Sequence, residues 1–107
     1  ALLADDGRII TGCNIENASY GATLCAERVA LATALATGIR HFAALAIAAG
    51  ERTPAPPCGI CRQMLSEFVA PGFPIHCVTL TPGDAPAAHH TLGQLLPSAF
   101  VLRAPEP

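Results

Sequence analysis

TLCAERVALATALATGIRHFAALAIAAG (Thr23–Gly50) reads as a helix followed by a strand. Leu24, Leu31 and Leu35 fall on one helical face, at offsets of seven and eleven. Gly38 supplies a C-terminal stop. Phe42–Gly50 is apolar without alternation, the pattern of a strand covered on both faces. A helix leading into a buried strand is the repeating element of α/β proteins.

The flanks extend this pattern. Upstream, ALLADDGRIITGCN (1–14) predicts a hairpin, with Asp6-Gly7 turning between two apolar runs. IENASYGAT (15–23) is loop-like. Downstream, ERTPAPP (51–57) is a stiff connector, too rich in proline for helix. A second helix starts near Cys58, with Cys61, Met64, Leu65 and Phe68 at helical spacing and Pro71-Gly72 to end it. IHCVTL (75–80) predicts another strand, TPGDAPAAHH (81–90) a loop, and LGQLLPSAF (92–100) a helical turn broken at Pro97. The order is hairpin, helix, strand, helix, strand, with no internal repeat. Strands separated by helices imply parallel pairing and an α/β sandwich. One domain is expected over 1–107.

Composition narrows the function. Of the 107 residues, 51% are hydrophobic and 13% charged, well under the quarter usual for a globular domain. This balance suggests apolar faces covered by other subunits. The net charge is -2 and no Lys/Arg cluster occurs, which argues against a nucleic-acid groove or an anionic membrane surface. No apolar run approaches the ~20 residues that span a bilayer, and no secretory signal is visible. Together these features point to a cytoplasmic protein. Five cysteines, an odd number with one C-x-x-C pair, suit metal or redox use better than a disulfide framework.

Three of those cysteines stand near predicted helix starts. Cys25 opens the first helix; Cys58 and Cys61, in PPCGICRQML (56–65), sit one turn apart at the start of the second. The positive end of a helix favours thiolate, the form that ligates metal. Three thiolates with an open fourth position describe a catalytic zinc site. Glu27, two residues after Cys25, could exchange protons with a water there. Arg28 could donate to thiolate sulfur and offset the negative charge. In the plainer alternative, the cysteines are buried apolar thiols, Glu27 is a first-turn acid and Arg28 a solvated face residue. Cys13 and Cys77 read as inert buried thiols in strands. His41, His89 and His90 read as surface, and His76 as a strand residue without chemistry.

CNIENASYGATLCAERVA (13–30) followed by PCGICRQMLSEF (57–68) strongly resembles the zinc-dependent cytidine deaminases that act on free nucleosides, over nearly the whole chain. The resemblance implies a three-layer α/β/α sandwich with a mixed sheet of about five strands. It implies hydrolytic deamination of cytidine and deoxycytidine in pyrimidine salvage. Cys25, Cys58 and Cys61 would hold one Zn2+ per subunit, with Glu27 as proton shuttle. Asn14 and Glu16 would bind the ribose hydroxyls, while the backbone at Ala26 and around Pro57 would meet the base. Tyr20, in the loop 18–21, would enter a neighbouring subunit's site, and Phe100 of LLPSAF would close a neighbour's pocket in a homotetramer.

Two departures from the family pattern bear on the site. The family's N-terminal helix and aromatic-bearing segment are absent here, which would expose sheet surface and open the pocket. Pro56 stiffens the approach to the second cysteine motif. Three other readings compete: a blasticidin-type aminonucleoside deaminase, a non-enzymatic zinc module stabilising an assembly, and a redox dithiol at Cys58 and Cys61.

Overall fold

The computed structural model describes residues 1–81, 83 and 85–102. Five strands form one sheet, β1 (Leu2–Ala4), β2 (Ile9–Ile10), β3 (Phe42–Ala48), β4 (Pro74–Val78) and β5 (Ala88–Thr91), in the order β2-β1-β3-β4-β5. Three helices accompany it: α1 (Ala26–Ala36), α2 (Gly59–Ser66) and α3 (Leu92–Leu95). β3 and β4 pair in parallel, with α2 in the crossover, and the other pairings are antiparallel. The sheet is therefore mixed, as expected. Tyr20–Ala22 adds a short 3-10 turn.

The core follows the strand pleat. Leu2, Leu45 and Ile75 align in register across three strands, and all are buried. They join Ala30, Leu31 and Ala34 of α1, Leu65 of α2 and Leu92 of α3 in one cluster. The described helices thus pack on the same side of the sheet. A Schellman motif ends α1: Ile39 N–H donates to Ala34 O at 2.9 Å and Gly38 N–H to Leu35 O at 3.1 Å. Gly38 makes this possible at φ +89°, and Ile39 then enters the core.

Four expectations need correction. β3 is covered on one side only: Leu45 and Ile47 are buried, while Ala46 and Ala48 are exposed. The alanine-rich run hid the alternation, because alanine suits either environment. His89 and His90 lie in β5, not in a loop. Short polar strands lack the apolar alternation that would announce them. Pro82 and Asp84 of that expected loop fall outside the described residues. Phe68 lies past the end of α2 and is 36% exposed. Cys13 is exposed, because β2 stops at Ile10; Cys77, by contrast, is buried.

Candidate active site

Cys25 and Cys58 are the N-cap residues of α1 and α2. Both have extended backbone, and neither side chain makes the usual capping hydrogen bond. Their sulfurs are therefore free for other work. Sγ of Cys25 lies 3.6 Å from that of Cys58, which lies 3.4 Å from that of Cys61. All three sulfurs fall within 4.8 Å of one another. A tetrahedral zinc with ~2.3 Å bonds to sulfur sets its ligands about 3.8 Å apart. Two of the three edges are near that length, and three thiols are a donor set zinc favours.

Local electrostatics divides the thiols. Burial works against ionisation of Cys58, yet its thiol is held below its ordinary range by the Cys61 N–H, the neighbouring sulfurs and the Ile60 N–H. The Ile60 and Cys61 amides of the first turn of α2 thus favour the Cys58 thiolate without closing a capping hydrogen bond. Cys61 is fully buried, and its thiol is pushed well up, first by burial and then by Cys58 and the charge of Glu27. A divalent cation would relieve that cost. Arg28 already offers positive charge: Nη2 reaches Cys25 Sγ at 3.8 Å and Thr23 O at 3.2 Å. Its Nε is buried without a hydrogen-bond partner among the described residues.

Glu27, in the first turn of α1, lines a cavity of about 450 Å³ with Gly12, Asn14, Ala26 and the end of β3. Asn14 has a second task there. Its Oδ1 accepts the Ala26 N–H at 2.8 Å, capping α1 from outside the helix. Gly12 allows the close approach: a Cβ there would meet Ala26 O at 2.3 Å and Ala30 N at 2.7 Å. Sequence reasoning missed both roles, since neither a cap 12 positions away nor a backbone contact leaves a local pattern.

The other expected residues are not part of this cavity's lining. Glu16 is exposed, two positions beyond Asn14 and outside the cavity lining. Tyr20 projects from its turn, 89% exposed. Pro57 is buried, and its carbonyl accepts Arg62 Nε at 2.7 Å. Arg62 Nη1 also donates to Leu95 O at 2.9 Å, tying the Cys58 loop to α3. Phe100 is 68% exposed at a separate cavity of about 240 Å³ between α2 and α3. Gln63 donates to its carbonyl at 2.9 Å.

Fold and site define a class: mixed-sheet α/β proteins that can grip a metal through thiols at two helix starts, with an acid beside it. Comparison with known proteins agrees. Residues 1–77 match the model of the cytidine and deoxycytidylate deaminase zinc-binding region. The chain is 47% identical to a cytidine deaminase of Sporosarcina psychrophila over 100 residues, covering 94% of this chain and 71% of that one. It is 44% identical over 102 residues to a cytidine deaminase of Mycobacterium tuberculosis strain H37Rv, covering 95% and 71%. The crystal structure of cytidine deaminase from Burkholderia pseudomallei superposes with a TM-score of 0.82 at 42% identity, covering 94% of this chain and 78% of that one. The chain belongs to the cytidine and deoxycytidylate deaminase zinc-binding family.

Proposed function

We propose that this chain hydrolyses cytidine and deoxycytidine to uridine and deoxyuridine plus ammonia, in pyrimidine salvage. The observation that carries the reading is the convergence of three sulfurs from the starts of α1 and α2, with Glu27 in the next positions of α1 facing a cavity. Cys25, Cys58 and Cys61 would hold zinc. Among the described residues the cluster has three members, which leaves one corner of a tetrahedral ion to solvent. Bound zinc supplies a Lewis acid that makes water acidic enough to react near neutral pH.

Glu27 does the proton work. Its carboxylate accepts a proton from the water attacking C4 of the base and delivers it to N3. C4 then bears both hydroxyl and amino groups. Glu27 next moves the hydroxyl proton to the amino nitrogen, the C–N bond breaks, and ammonia leaves as the C4 carbonyl forms. Arg28 holds positive charge against the thiolates and limits how strongly they oppose proton loss from water. The Nδ2 of Asn14 would serve the sugar while Oδ1 holds α1. Glu16 would bind a second hydroxyl. The base would meet the backbone at Ala26 and near Pro57, although the Ala26 N–H already donates to Asn14.

Exposed Tyr20, Ile60 and Phe100 support a shared site in a homotetramer. The five cysteines, all free, suit a reducing, cytoplasmic setting, and no helix is long and apolar enough to cross a membrane. The decisive experiment follows loss of cytidine absorbance alongside zinc quantification. Turnover with about one zinc per chain supports the reading; full zinc occupancy with no turnover on either nucleoside overturns it.

A further inference from the structure

His76 and His89 sit directly opposite each other on the antiparallel strands β4 and β5. Ile75 and Cys77, on either side of His76, are buried in the core beneath the helices. Strand alternation therefore turns His76 to the other face of the sheet. His89 is exposed beside it. The two rings meet edge to face, with centroids 4.8 Å apart and planes at 74°. Their Nδ1 atoms are 2.6 Å apart.

At that separation two lone pairs would repel, and so would two N–H groups. One ring's Nδ1–H donating to the other's Nδ1 lone pair meets the distance, and so would a metal ion held by both lone pairs. Bonds of ~2.0–2.1 Å to a metal put adjacent nitrogens about 2.9–3.4 Å apart, so only a small rotation of the exposed ring is required. Among the described residues the surroundings leave room. Ala46 is the β3 neighbour of His76 in register, and a depression of about 210 Å³ lined by Leu3, Ile9, Ala44 and Ala46 opens beside the ring. Neutral imidazole is the commonest protein ligand for borderline first-row ions.

We propose that His76 and His89 form a second metal site, a two-imidazole seat for a divalent ion such as Ni2+, Cu2+ or Zn2+, on the sheet face turned away from the cysteine cluster. Water completes its coordination. A bound ion would pin the outermost strand β5 to β4.

The test uses zinc-loaded protein, free of any polyhistidine tag, titrated with NiCl2 by calorimetry and by histidine ring 15N NMR. One Ni2+ should bind beyond the resident zinc. Substoichiometric Ni2+ should broaden the His76 and His89 ring signals and leave that of His41 sharp. H76Q and H89Q should each weaken Ni2+ binding at least tenfold. H90Q should leave it unchanged, because His90 pairs with buried Ile75 and faces the other way. Unperturbed His76 and His89 signals in the parent protein would overturn the proposal and leave a shared proton as what joins the rings. Equal Ni2+ binding by H76Q, H89Q and parent would overturn it as well. The NMR arm needs no substitution, so it decides the matter even if a variant folds poorly.

Discussion

Glu27 lies in the first turn of α1. The proposed reaction asks its carboxylate to accept and return protons, which an amide cannot do. Glu27→Gln should therefore keep zinc and the folded state while turnover falls by at least ~10²–10⁴. Steady-state kinetics beside metal analysis checks this; equal turnover at full occupancy would remove Glu27 from the chemistry. Arg28→Gln tests the neighbouring role. Loss of a donor near Cys25 Sγ should speed zinc release to a chelator several-fold and slow catalysis, as read by a colorimetric zinc indicator. Unchanged release would reduce Arg28 to its bond with Thr23 O.

At the scale of elements, two contacts set where α1 and α3 begin. Gly12→Ala would drive a methyl into the Ala26 carbonyl, so α1 must shift. A cost of about 1–3 kcal/mol is expected in chemical denaturation, with turnover reduced because Glu27 moves with its helix. α3 begins with a reciprocal capping box: Thr91 Oγ1 accepts from Gln94 N–H, and Gln94 Oε1 accepts from Thr91 N–H. Thr91→Ala should cost about 1 kcal/mol. Arg62, bonded to Leu95 O, would carry that loosening towards Pro57 and Cys58.

What the sequence disclosed about these elements follows from the range of the interactions. The parallel pair β3–β4, both longer helices and the cysteine cluster rest on local periodicity and spacing, and could be read directly. The open side of β3 and the strand at His89 could not, because alanine and histidine do not declare a face. Asn14 as a cap and Gly12 as a contact depend on parts of the chain far apart in sequence. Glu16, Tyr20 and Phe100 received roles through family resemblance, and their exposure gives each side chain few constraints of its own.

For the whole molecule, the cysteine cluster joins α1, which precedes β3, to α2, which follows it. Metal binding and folding should then be linked. A strong chelator should lower the melting temperature, and added Zn2+ should restore it. A protein carrying both Cys58→Ala and Cys61→Ala should show neither response. A chelator-insensitive parent would mean that the sulfurs do not hold the ion.

The same junction has a mechanical consequence. Cys25 and Cys61, the outermost of the three sulfurs, are 36 positions apart, and zinc would close the chain between them into a ring. Pulled by its two ends, the loaded molecule would keep that ring out of the line of force. Roughly 120–130 Å of extension would stay hidden until the metal let go of Cys25, and would then appear as a single late step in a stretching trace.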